Sequence, residues 1–141
     1  MSVASRLGAV LRARRVQEDV ARGDVARANA EVAHASRRTA ERAGSLDGWS
    51  GPDNVSNTAF LASVAAGRAL AQALQDATHA EQSARVEADE RRDLLRAAAQ
   101  RRRSVEKLVE RAAAVHRQNE LATEQRAIDD LATVRHAGES L

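Results

Sequence analysis

The chain has 141 residues, the size of one domain, and its formal net charge is only +2, so general binding to nucleic acid is not indicated. Alanine supplies most of the 43% apolar content, and Trp49 and Phe60 are the only aromatic residues. Alanine buries little apolar surface, which disfavours a thick globular core and favours a thin seam between close-packed helices.

Several classes of protein are excluded by what the sequence lacks. Without cysteine the chain forms no disulfide and no cysteine-ligated metal site. Its first 18 residues carry four arginines and no long apolar run, so they do not make a signal peptide. No stretch approaches the roughly 20 apolar residues that span a bilayer, and we expect the chain to be cytoplasmic.

A first helix is predicted over about 5–43, with Gly44 as a left-handed cap at its end. Arg14 and Glu18 interrupt its apolar frame, which consists of Leu7, Leu11, Val25, Ala28, Val32 and Ala35. A loop follows over 44–55, because three of the seven glycines and the only proline lie there.

The second helix is predicted over about 56–137, with Asn54 or Ser56 as its N-terminal cap. A seven-residue repeat along it predicts a coiled-coil face. The first row of this face consists of Leu70, Ala77, Ala84, Arg91, Ala98, Val105, Ala112 and Asn119. The companion row consists of Ala73, Ala80, Glu87, Leu94, Arg101, Leu108, Val115 and Ala122.

The short loop makes the two helices antiparallel neighbours. Paired from the loop outward, the first helix would meet 56–95 and leave 96–136 as a lone helix, a docking element for a partner. The predicted fold is therefore all-α: a long antiparallel two-helix coiled-coil hairpin with the second helix overhanging, as a single coiled-coil domain over 1–141.

Catalytic motifs are missing from the sequence, so we predict that the chain is not an enzyme and holds no cofactor. His116 and Glu120 share one face of the second helix, but two ligands are too few for a metal site, and we interpret them as part of a solvated face. Phe60 and Trp49 are interpreted as packing together beside the loop. The alternative is that these aromatic residues are exposed anchors for a partner.

Nine basic and three acidic residues lie between Arg91 and Arg117. A solvated arginine-rich surface and a basic collar for an acidic protein are both compatible with this run. A nucleic-acid binder is the weaker alternative, because no aromatic residues interleave with the arginines.

Both ends of the chain resemble the flagellar FliJ family. The stretch 6–19 contains the spacing L..VL..R...E that is typical of the start of FliJ proteins. The stretch 101–111 contains a basic run and EKL.ER, and 124–132 resembles the family's C-terminal signature. In that signature Asp130 stands where glutamate is common, and Arg135 follows at the expected place. The chain is richer in alanine than many members.

The resemblance implies a soluble stalk of the flagellar type III export apparatus, needed for flagellum assembly, motility and chemotaxis. It implies a monomer at the cytoplasmic side of the cell membrane that links the export ATPase ring, the export gate and export chaperones. By position, the candidate ring contacts are Arg101, Arg102, Arg103, Lys107, Arg111, Glu124, Gln125, Asp129 and Asp130. The candidate gate contacts are Phe60 and Val64. The alternatives are a homo-oligomeric coiled-coil scaffold and an injectisome stalk protein.

Overall fold

The computed structural model describes residues 2–51 and 56–140. Nearly all of them lie in two α-helices, α1 (Val3–Asp47) and α2 (Asn57–Glu139). The two helices pack against each other, and no strand occurs within the described residues. This all-α helical hairpin confirms the predicted fold class.

The first helix is longer than predicted at both ends. At its start the Ser2 hydroxyl accepts a hydrogen bond from the Ser5 backbone N–H at 3.2 Å. At its end the Gly48 N–H donates to the Gly44 carbonyl at 2.9 Å, so the helix runs through the predicted cap to Asp47. The prediction of a left-handed cap at Gly44 is therefore wrong. The last turn carries half-buried Leu46, whose burial offsets the cost of about 1 kcal/mol for glycine in a helix.

The second helix is capped by Ser56, one of the two predicted caps. Its hydroxyl accepts a hydrogen bond from the Ala59 N–H at 3.3 Å, and its carbonyl accepts one from the Phe60 N–H at 2.9 Å. The other predicted cap, Asn54, and the loop proline, Pro52, lie outside the described residues. α2 ends at Glu139, two residues beyond the predicted end.

Contacts divide the chain into two compact units, each with a segment of both helices. The loop unit is Glu18–Ala97, and the terminal unit is Met1–Gln17 with Ala98–Leu141. The single domain expected over 1–141 stays a prediction.

In the loop unit, polar contacts show that the two helices run antiparallel. The Thr39 hydroxyl donates to the Ala77 carbonyl at 3.1 Å, and the Arg92 guanidinium donates to the Asn29 side-chain oxygen at 2.8 Å. Higher-numbered residues of α2 therefore lie opposite lower-numbered residues of α1. The apolar seam between these contacts is thin, as the alanine content predicts, with Ala28 and Ala88 only 9% and 1% exposed.

In the terminal unit, leucine and valine fill the seam. Leu11 and Val105 are each 9% exposed, and Ala98 is 8% exposed. On one side of the seam, the Arg15 guanidinium lies 3.7 Å from the Glu106 carboxylate. The same carboxylate accepts a hydrogen bond from Arg102 at 2.9 Å. This network of three charges ties the start of α1 to α2.

The first predicted row of the α2 seam is buried or half-buried from Leu70 to Ala112, but its last member, Asn119, is exposed, and the companion row is wrong by one residue. Positions four residues after the first row are buried or half-buried: Leu74, Glu81, Ala88, Leu95, Arg102 and Val109. The predicted companions three residues after it are exposed from Glu87 to Val115. Leu94, for example, is 56% exposed. Over these six layers the two rows are equally apolar, since Glu81 and Arg102 of the true row correspond to Glu87 and Arg101 of the predicted row.

The predicted pairing of the helices is also displaced. Contact between α1 and α2 extends to Glu106, and half-buried residues continue to Ala114. Every described residue from 115 to 140 is exposed. We call 115–140 the terminal segment; it begins at 115 and not at 96. In the loop unit α1 ends at Asp47, four residues further than predicted, and Trp49 just beyond it lies on Gly67 of α2 and not at residue 56.

Candidate protein-binding surfaces

The predicted basic collar is smaller than the sequence indicates. Arg102 is 23% exposed at its side chain and forms an ion pair with Glu106, so it contributes to the helix contact. Arg91 and Arg92, at the start of the arginine-rich run, pair with Glu87 and Asp89 on their own helix. Four of the predicted ring contacts in this stretch are exposed: Arg101, Arg103, Lys107 and Arg111. We call these four residues the basic patch; the last three follow one another at four-residue intervals.

The remaining predicted ring contacts lie in the terminal segment, and all of them are exposed. The Gln125 amide donates to the Asp129 carboxylate at 3.1 Å, so these two side chains are held together. Glu124 and Asp130 are also exposed. The same stretch presents apolar side chains: Leu121 is 65% exposed, and Ile128, Leu131 and Val134 are 59%, 71% and 70% exposed. Exposed apolar residues on a helix that α1 does not cover are typical of a surface that packs against another helix or a groove.

The predicted gate contacts belong to the loop unit. Phe60 is 54% exposed, and Val64, one turn further along α2, is half-buried. Phe60 is therefore not a core residue, and its exposure favours the anchor interpretation over packing beneath Trp49.

Sequence reasoning missed the place where the loop packs on α2. A Cβ atom built on Gly67 would lie 2.9 Å from Cζ2 and 3.0 Å from Cη2 of Trp49, so the indole ring lies directly on the bare backbone of the helix. The isolated glycine in a helical pattern was the available signal, since such a glycine marks a close approach. The close approach holds the loop against α2. One face of the indole ring is covered by the helix, and Trp49 as a whole is 37% exposed.

A polar cluster inside the seam was missed as well. Glu81 accepts a hydrogen bond from Arg85 at 2.7 Å and lies beside Thr39 and Ser36 of α1. The hydrogen bond from Arg85 is the largest cause that lowers the pKa of the Glu81 carboxyl, and the nearby polar side chains of Thr39 and Ser36 lower it further. The cluster has the composition of a structural ion pair between Glu81 and Arg85.

His116 and Glu120 lie on one solvated face of α2, as their helical spacing predicts. His116 Nε2 lies 3.0 Å from Glu120 Oε1, and both side chains are mostly exposed. Across 2–51 and 56–140 no group of three or more metal-ligating side chains comes together. In the same residues no helix is long and apolar enough to cross a membrane. What the described surface offers is exposed charge and exposed apolar residues on helices.

These features define the class of protein, an all-α helical hairpin whose exposed surfaces are suited to binding other proteins. The family model described as Flagellar FliJ protein matches residues 3–140, and the chain belongs to that family. It is thus a flagellar export-related protein, as the resemblance of its two ends implies. No curated protein and no solved structure shows a significant match to the chain.

Proposed function

We propose that the protein is a stalk of the flagellar export apparatus that binds the export ATPase ring with its terminal unit and the export gate with the start of α2. The observation that carries the proposal is the terminal segment, a helix that continues from Val115 to Glu139 with every residue exposed. An isolated helix gains little stability without packing, so such a segment is suited to being covered by a partner.

The basic patch supports the ring contact. It lies in the stretch of α2 just before the terminal segment, where α1 still packs on α2 and holds the helix in place. Charged side chains on an ordered helix steer association with a surface of opposite charge and fix its register. We therefore propose that an acidic surface of the ATPase ring meets the patch, while apolar residues of the ring cover the terminal segment.

Charge reversal of the patch tests the ring contact. The variant R101E/R103E/K107E/R111E should lose co-purification with the export ATPase, because four attractions become repulsions. Arg102 is left unchanged, since reversing it would break the ion pair with Glu106. The matched control reverses four exposed arginines of the loop unit, in the variant R37E/R38E/R42E/R68E, with the same change in net charge. If both variants bind the ATPase as the wild type does, the ring contact is wrong.

The exposed Phe60 supports the gate contact, with half-buried Val64 beside it. F60A should weaken binding to the cytoplasmic domain of the export gate by about tenfold, the effect of removing an aromatic anchor. L61A is the matched control, because Leu61 is 66% exposed and points about 100° away around the same helix. Equal loss in both variants would mean that Phe60 is not a specific anchor. Through the gate the protein would lie at the cytoplasmic side of the membrane, where it could also receive export chaperones.

A further inference from the structure

The terminal segment carries an apolar stripe that α1 does not cover. Leu121, Ile128 and Leu131 are 65%, 59% and 71% exposed. At about 100° of rotation per residue, the three side chains fall within a sector of about 80° of the helix. A stripe of this kind buries its apolar surface when a second helix lies along it.

Between Leu121 and Gly138, two opposite charges lie inside this stripe; Arg117 and Glu139 project in the same sector outside that stretch. Glu124 and Arg135 project within the same sector as the three apolar residues and are exposed. They stand eleven residues apart, about 16 Å along the helix, so the two side chains of one copy do not meet. Two charges within an apolar stripe favour a partner whose own side chains place an opposite charge facing each of them.

We propose that the terminal segments of two copies of this chain pair antiparallel, about a twofold axis between Asp129 and Asp130. In this register Ile128 lies opposite Leu131 of the second copy, and the same contact recurs on the other side of the axis. Glu124 lies opposite Arg135 of the second copy, again twice. Within the stretch 121–138, each charge in the stripe is thus matched by an opposite charge. Ile128 and Leu131 are matched by each other, while Leu121 lies opposite Gly138.

Charge complementarity is what selects a second copy in this orientation. A parallel pair would place Glu124 against Glu124 and Arg135 against Arg135, which is unfavourable. Asp129 and Asp130 project more than about 90° from the middle of the stripe, so the acids at the axis remain in solvent. The residues that α1 covers end at Ala114, so α1 of neither copy reaches the paired stretch.

The proposed dimer is weak because its interface is small. The paired stretch, 121–138, is about 27 Å long, and it buries only two layers of large apolar residues. Its interface is therefore small, in the class of transient associations. The single-copy stalk proposed above is compatible with this equilibrium, because a ring that covers the same stripe displaces the second copy.

Sedimentation equilibrium of the full chain, from about 1 µM to about 1 mM, tests the pairing. The wild type should shift from monomer to dimer within this range, and E124R and R135E should each weaken the dimer at least about tenfold. The double variant E124R/R135E restores opposite charges across the axis and should recover the dimer. D130R and R126E are the matched controls, since they make the same charge changes outside the stripe and should dimerise like the wild type.

A wild type that is monomeric throughout the range would overturn the proposal, and so would a double variant no better than the single ones. Circular dichroism on each variant checks that the hairpin is folded, which we expect because both substituted residues are exposed. The inference does not rest on the proposed function. The mass is measured on the free protein, so its failure leaves the ATPase contact to its own experiment.

Discussion

Gly67 is the residue at which side-chain size decides how the loop is held. Its backbone lies under the Trp49 ring, and an added Cβ would approach within 2.9 Å of that ring. Gly67→Ala should therefore displace the ring. Because Trp49 is the only tryptophan, its fluorescence emission maximum should shift toward that of a fully exposed indole. The melting temperature should change little, because alanine gains about 1 kcal/mol in a helix while the packing of the ring is lost.

Gly23→Ala is the matched control for that substitution. A Cβ at Gly23 would meet only the flexible end of Arg27, at 3.6 Å. This variant should be stabilised by about 1 kcal/mol and keep the wild-type tryptophan emission. An unchanged emission spectrum in Gly67→Ala would show that the ring does not rest on the helix in solution.

Glu81 is the residue that gives the seam a pH dependence. Hydrogen bonds, first of all from Arg85, lower its pKa in the folded protein below the value in the unfolded chain. The unfolded state therefore binds more protons in the acid range, and the contribution of Glu81 to stability is present above the unfolded pKa and lost as the pH falls through the folded pKa. Thermal melts of Glu81→Gln should lie below those of the wild type at neutral pH, and the two should converge in acid. Glu90→Gln, at an exposed position, should melt like the wild type at neutral pH.

At the scale of the helix, the two rows of α2 show what could be predicted from sequence. The first row was predicted correctly as far as Ala112, because Leu70, Ala98 and Val105 stand at multiples of seven residues from one another. The second row was not, because Leu94 and Leu95 are adjacent and either row can use one of them. Charged residues do not separate the rows either, because Glu87 and Arg101 stand in the predicted row as Glu81 and Arg102 do in the true one. A hydrogen bond and an ion pair satisfy Glu81 and Arg102 in the seam. The polar partners of Glu81 and Arg102 cannot be predicted from the apolar pattern of one helix.

A pair of substitutions in α2 separates the predicted row from the observed one. Ala88 is 1% exposed and Leu94 is 56% exposed. Ala88→Leu should overpack the seam and lower the free energy of unfolding by about 1–3 kcal/mol. Leu94→Ala should cost less than the 2–5 kcal/mol of a buried leucine, although it removes more atoms. Urea denaturation measures both, and a loss for Leu94→Ala as large as that of a buried leucine would restore the predicted row.

At the scale of the whole molecule, the family and the fold class could be predicted, while the pairing register could not. An alanine seam fits almost as well when one helix slides along the other, because each layer buries a similar small side chain. The register is set by contacts that join distant residues, such as Trp49 with Gly67 and Arg15 with Glu106. The candidate surfaces follow from this register, since it decides which arginines are exposed and where the terminal segment begins.

In this register the residues that stabilise the hairpin and the residues proposed to bind the ATPase lie in different parts of the chain, so truncation can test them separately. A chain that stops after Ala114 loses the terminal segment, whose described residues 115–140 are all exposed, so its free energy of unfolding should stay within about 0.5 kcal/mol of the wild-type value. It keeps the basic patch but lacks the terminal segment, and it should fail to co-purify with the export ATPase. The matched truncation removes residues 2–17, which include Leu11 at 9% exposure, and should unfold more readily because Val105 loses its cover. A large loss of stability in the first truncation would mean that the terminal segment packs within the free chain, and full ATPase binding by it would assign the contact to the basic patch alone.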